Sequence, residues 1–225
     1  MSFFDWPVHT ESGLWTRISI GAAIFMALGI ADFLQNGPTA TRWKEYAVLS
    51  VAVLAALLYG AINDQITSSI SWEYFYYGKE LEHILGPIIP PEAAALHWEA
   101  AKVGLKATWF AGLIFGVILL LANNPFRHWP RLKNRQLIRL LPIILVTAAG
   151  FAVLGGVLGY EGALTHLSPD FEDMARADVF RPRRFMCTWG IHLGGYVGGL
   201  LGTFIAAGMV MRKRIYLDQV KANYN

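Results

Sequence analysis

The chain has 225 residues, 55% of them hydrophobic and only 16% charged, with a formal net charge of +3. Soluble domains carry about 25% charged residues, so this composition excludes an ordinary soluble enzyme and points to a polytopic membrane protein. The positive residues cluster between apolar runs, which is a signal of membrane topology before it is one of nucleic-acid binding.

The N-terminal "MSFFDWPVHTESG" lacks a basic n-region and its first charges are Asp5 and Glu11, so no cleaved signal peptide is expected. The first apolar segment, 14–34, is expected to remain as a helix that ends near Asp32 and "FLQNGP" in a turn. A second span is predicted over 46–62. The stretch "INDQITSSISWEYFYYGKE" follows it, and 70–85 is predicted as a short helix on the membrane surface, because Trp and Tyr suit the headgroup region. The prolines of "LGPIIPPEAA" mark a turn before the third span, 98–122. That span has its apolar core from Val103 and an approach beginning near Glu92. The fourth span is 138–160 and the fifth 186–211. Each approaches or exceeds the ~20 residues that a ~30 Å hydrocarbon core requires. Unbroken apolar runs without period-2 alternation select helices over a barrel. The expected fold is all-α: an integral membrane bundle of about five transmembrane helices with a short interfacial aromatic segment, forming one domain over 1–225.

Glycine spacing predicts close helix packing. Gly190, Gly194, Gly198 and Gly202 recur at every fourth position of the last span, Gly112 and Gly116 repeat this on the third, and Gly155 and Gly159 on the fourth. A glycine-rich nucleotide loop would follow a strand, and no strand is indicated. Lys and Arg set the orientation. Arg42 and Lys44, then the cluster Arg127, Arg131, Lys133, Arg135 and Arg139, then Arg212, Lys213, Arg214 and Lys221 fall on one side of a five-helix bundle. That side, with the C-terminus, is expected to be cytoplasmic in a bacterial inner membrane. The connection 161–184 holds Arg176, Arg181, Arg183 and Arg184 and is the exception to the pattern.

The polar residues are expected to converge on the outer side. Asp64 ends the second span, Glu73 follows it, and Glu161 ends the fourth. Glu99, Lys102 and Lys106 share one face of the third span's approach. His192 lies eight residues beyond Arg184, roughly 12 Å by helical rise. Ionisable groups at such depth pair, face a bundle interior or line a wet cavity. One expectation is a ligand site of Asp64, Gln65, Glu73, Lys102, Lys106, Glu161 and His192. In it Asp64, Glu73, Glu161 and His192 would hold a divalent cation such as iron, manganese or zinc. The competing expectation is an internal salt-bridge network, with Lys102 paired to Asp64 or Glu161. No HExxH, ExxH pair or CxxC spacing marks a metal centre. The lone Cys187 allows neither an intrachain disulfide nor a thiolate site. Haem is disfavoured because His9, His83, His97, His128 and His166 lie near span ends or in connections, His97 being the marginal candidate.

Three stretches carry a family resemblance. "YGAINDQITSSISWEYF" (59–75), "ATWFAGLIFG" (107–116) and "GIHLGGYVGGLLG" (190–202) fall in order along the second, third and fifth spans. They resemble an uncharacterised family of small polytopic bacterial membrane proteins, with a YG pair, an HDQ or NQ, an EYF triplet and an ATWW-x-GL helix. The resemblance places Asp64, Gln65, Glu73, Tyr74, Phe75, Trp109 and His192 at motif positions and carries no assigned activity. Some members have histidine before the Asp-Gln pair where this chain has Asn63, which removes one good metal ligand. The leading functional expectation is an outward-facing carboxylate and histidine site for a cation or small polar ligand. The runner-up is an accessory or assembly subunit of a larger membrane complex, with a membrane-protein partner or a second copy. A small-solute permease comes third, since neither inverted repeats nor matched broken helices are evident.

Overall fold

The computed structural model describes residues 11–124, 129–167 and 179–223. In chain order its helices are α1 (Glu11–Asn36), α2 (Arg42–Ile70), α3 (Trp72–Tyr76), α4 (Glu82–Leu85), α5 (Ala93–Ala122), α6 (Asn134–Ile138), α7 (Leu141–Tyr160) and α8 (Pro182–Asn223). Among the described residues there is no strand. Five helices, α1, α2, α5, α7 and α8, are long and apolar enough to cross a membrane. The fold is an all-α bundle with the make-up of a multi-pass membrane protein. His9, Arg127, His128 and Arg176 fall outside the described residues.

The second and fifth spans outrun their sequence boundaries, and α8, expected to stop at 211, continues to Asn223. Expected to stop at 62, α2 continues to Ile70 and carries "NDQITSSI" inside the helix. The polar side chains stay helical because they bond to the helix itself. Thr67 Oγ1 donates to the Asn63 carbonyl at 2.9 Å, and Ser68 and Ser69 donate to the Gln65 carbonyl at 3.1 Å each. The helix stops at Ser71, whose backbone is extended and whose hydroxyl accepts from Tyr74 N at 3.2 Å, capping α3. At the other boundaries, α5 starts at Ala93 directly after Pro90, Pro91 and Glu92, and a short break at Arg139 and Leu140 separates α6 from α7.

Two helix pairs make the bundle, α2 against α5 and α7 against α8. Glycine brings each pair together. Gly60 and Gly104 face each other, and a Cβ on either would strike the backbone of the other. A Cβ on Gly112 would lie 2.7 Å from Val53 Cα, and one on Gly116 would lie 2.9 Å from Leu49 Cδ2. Along α7 and α8, Gly155 meets Gly190, Gly159 meets Met186, and Gly194 meets Phe151, each through the partner's carbonyl. Gly202 rests on Ile144. The predicted small-residue face is therefore the contact face. This matters in lipid, where close van der Waals approach replaces the hydrophobic effect as the force between helices. The two pairs touch each other over fewer residues. α1 packs chiefly on α2, through a Phe25–Tyr46 stack with ring centroids 5.2 Å apart.

One end of the bundle gathers the α1–α2 and α5–α7 connections with the last turns of α8. There Asp32 Oδ2 accepts from Arg42 N at 2.9 Å and holds the start of α2. Arg214, read from the sequence only as a topology charge, is 2% exposed. Its guanidinium donates to the carbonyls of Ala122 (2.7 Å), Asn124 (2.6 Å), Pro130 (3.2 Å) and Trp129 (3.3 Å), tying the end of α5 and the following loop to α8. Leu119, Leu137, Ile144 and Val210 form the apolar core beside it. The opposite end holds the α2–α5 and α7–α8 connections, and the polar residues singled out above.

Candidate functional site

Where α2, α5, α7 and α8 meet, a cavity of about 50 Å³ lies inside the bundle. α2 supplies its polar wall, because Tyr59 and Asn63, and likewise Gly60 and Asp64, are four residues apart and share a face. α8 contributes His192 and Tyr196. Gly60, Gly104, Gly195 and Gly199 also line the space, so the residues that let helices approach leave room for it as well.

Asp64 is 2% exposed. Its Oδ1 accepts from Asn63 Nδ2 at 3.2 Å and lies 3.7 Å from His192 Nε2. His192 Nε2 also lies 3.4 Å from Thr67 Oγ1. Thr67 Oγ1 also bonds the Asn63 carbonyl one turn back on its own helix. Thr188 Oγ1 reaches the Thr67 carbonyl at 3.5 Å. Two buried atoms in this group have no hydrogen-bond partner, Asp64 Oδ2 and the Tyr59 hydroxyl. The Tyr59 oxygen lies 3.2 Å from where a Cβ on Gly195 would be. Each such orphan costs about 1–3 kcal/mol unless something fills the space and bonds to it.

The aromatic segment roofs this group. Tyr74 stacks on His192 with centroids 4.9 Å apart and a 17° interplanar angle, and Phe75 meets the imidazole edge-on at 6.1 Å. Lys79 Nζ lies 5.2 Å from the Tyr74 ring centroid. Glu73, 1% exposed, accepts from Phe180 N at 2.6 Å and Arg181 N at 3.1 Å through one oxygen. Its carboxylate therefore fastens α3 to the N-terminus of α8, where backbone N–H groups and the helix dipole favour an anion. Tyr74 and Phe75 are buried against Leu96, Ala100, Phe185 and Met186, and Tyr76 is buried beside them in α3, rather than laid on the membrane surface. The turn at Ser71 directs them back over the ends of α5 and α8. Trp and Tyr enrichment is common to both arrangements, so composition alone does not separate them.

The structure brings Asp64 and His192 together and sends the other expected site residues elsewhere. Glu73 is occupied by backbone amides. Gln65 Nε2 donates to the His97 carbonyl at 2.6 Å, and Ser68 Oγ lies 2.8 Å from His97 Nδ1, so both fasten α2 to α5. Lys102 Nζ lies 2.6 Å from Glu99 Oε1, one turn away on its own helix. Lys106 is exposed, and Glu161 is exposed at the end of α7. Among the described residues, no three His, Cys, Asp or Glu side chains are placed to hold a metal ion, so the expected four-residue metal set is not assembled. Tyr59, Asn63 and Thr67 belong to the group and were not singled out from the sequence as site residues. Their signal was the four-residue spacing on the face that carries Gly60 and Asp64. Comparison of the chain with family models, curated proteins and solved structures gives no match.

Proposed function

We propose that this chain is a multi-pass protein of the bacterial cytoplasmic membrane whose cavity at Asp64 and His192 holds a small cation or small polar group near the outer surface. One observation carries the reading: Asp64 Oδ2 and the Tyr59 hydroxyl are both buried, both without partners, and both on residues lining one cavity. Its volume limits the occupant. A water needs at least ~10–15 Å³ of such space, so about 50 Å³ admits a few waters, a monatomic cation or one small group. Among the described residues of its lining, Asp64 and His192 are the only acid and imidazole, a thin donor set for a closed transition-metal centre. It suits a hydrogen-bonded group or a cation that keeps other ligands.

The three stretches of the family resemblance surround this cavity. The first supplies Tyr59, Asn63 and Asp64, the second Thr108 and Phe115, and the third His192, Gly195 and Tyr196. Orientation rests on the basic residues. Arg42, Lys44, Arg131, Lys133, Arg139, Arg212 and Lys213 belong to the end opposite Asp64, which makes that end cytoplasmic by the positive-inside rule.

Asp64→Asn preserves the shape and removes the charge. Native mass spectrometry and elemental analysis of protein released from nanodiscs are expected to find a bound non-protein mass or metal on wild type, reduced at least tenfold on Asp64→Asn. Wild type carrying no more than the variant contradicts the proposal. A second reading, an accessory subunit of a larger membrane complex, is favoured by α1. Only 6% of its apolar window is buried, against 17% to 44% in the other four spans, so it offers the most surface to a partner helix. A stable partner recovered with wild type in mild detergent, and lost when Phe33 and Ile30 are changed to alanine, supports it; a lone monomer counts against it.

A further inference from the structure

A second, larger space of about 800 Å³ runs between α2 and α7, the two facing helices of different pairs. It follows α2 from Ala55 to Ile70, about 22 Å by helical rise, most of the way across a ~30 Å hydrocarbon core. Its walls are apolar side chains such as Leu58, Ile62, Ile66, Val153 and Val157, each more than half exposed and so facing lipid. Tyr59, Asn63, Leu145 and Ile191 line both this groove and the polar cavity. One layer of side chains thus separates the cavity from the bilayer. On its α3 side, Tyr74 and Phe75 pack on the His192 ring, held down by Glu73.

Charge narrows the occupant. Among the described residues, neither lining contains a lysine or arginine, while Asp64 lies in the cavity and Glu161 on the groove. A phosphate or carboxylate head would face two acids, with no lysine or arginine in either lining to bond to it. A hydroxyl would donate to Asp64 Oδ2 and accept from the Tyr59 hydroxyl, satisfying both orphaned atoms at once. We infer that the cavity is filled from the bilayer, by the uncharged hydroxyl-bearing head of an amphiphile whose hydrocarbon tail lies in the α2–α7 groove. This rests on the cavity reading above and names its ligand class. A diacylglycerol carries such a head, a single hydroxymethyl that suits a space of about 50 Å³, whereas the substituted ring of an isoprenoid quinol is too large for it.

The test uses the full chain in phosphatidylcholine nanodiscs doped, in separate arms, with an isoprenoid quinol, a diacylglycerol or phosphatidylglycerol. Native mass spectrometry then counts the adducts retained. Wild type is expected to keep one diacylglycerol per chain, and neither the quinol nor phosphatidylglycerol. Ala149→Trp fills the groove from an exposed position, and Val153→Trp does the same from a site 68% exposed, so neither disturbs a helix contact. Both, and Asp64→Asn, are expected to lower retention at least tenfold. The inference is overturned if wild type keeps no diacylglycerol, if the three variants keep as much as wild type, or if the quinol or phosphatidylglycerol is retained equally. If an Asp64-dependent metal or small mass is bound while the diacylglycerol arm is empty, this inference falls and the cavity reading stands.

Discussion

Gly194→Leu is expected to break the α7–α8 pair and lower stability by roughly 3 kcal/mol or more, whereas Gly208→Leu on the same helix leaves it unchanged. A Cβ at Gly194 would strike the Phe151 carbonyl oxygen and lie 3.1 Å from Ala152 Cα, and these are backbone atoms that cannot rotate aside. Nothing lies within 4 Å of a Cβ at Gly208. Both substitutions add the same apolar surface and the same helix propensity, so their difference isolates the close approach. Lipid tails solvate leucine as well as a neighbouring helix does, so the lost contact is not replaced by a hydrophobic gain. Unfolding in mixed micelles of rising denaturing-detergent fraction, followed by circular dichroism, measures the gap. Equal curves for the two variants would show that the glycine face does not hold the pair.

Glu73→Ala is expected to lower stability by roughly 3 kcal/mol, because two charge-assisted hydrogen bonds at about 1.5–3 kcal/mol each are lost and two amides are left bare. The carboxylate is 1% exposed and is held by Phe180 N and Arg181 N, so water does not readily take its place. Glu73→Gln keeps an acceptor oxygen without the charge and is expected to lose about half as much. The same variants loosen the roof, so His192 is expected to react faster with a water-borne imidazole reagent in Glu73→Ala than in wild type. A stable Glu73→Ala with unchanged His192 reactivity would remove the latch from this account.

The features that sequence alone conveys here are those with a local cause. Apolar length sets the five spans, and four-residue glycine spacing identifies the face on which α8 meets α7. Depth along the helices also places Asp64 and His192 at one level from sequence alone. Less was legible where the partner is backbone. Glu73 resembles a metal ligand in sequence, yet it serves two amides. Arg214 resembles a topology charge, yet it serves four carbonyls. Peptide groups look alike at every position, so neither partnership leaves a trace in composition or spacing. α2 ran past its expected end because Thr67, Ser68 and Ser69 satisfy themselves on its own carbonyls, which makes "NDQITSS" tolerable inside the bundle. Lys102 chose Glu99 over Asp64 for a similar reason. A partner one turn away needs no tertiary alignment, and Asp64 lies on a different helix facing the cavity.

The central claim is that the space beside Asp64 and Tyr59 is occupied. A crystallographic or cryo-EM map of wild type in lipid, with anomalous data at the manganese and zinc edges, tests it directly. The account predicts density for a cation or a polar group within about 3.2 Å of both Asp64 Oδ2 and the Tyr59 hydroxyl. A closed cavity, with the Asp64 carboxylate paired to a lysine or arginine and no density beside it, would contradict the account.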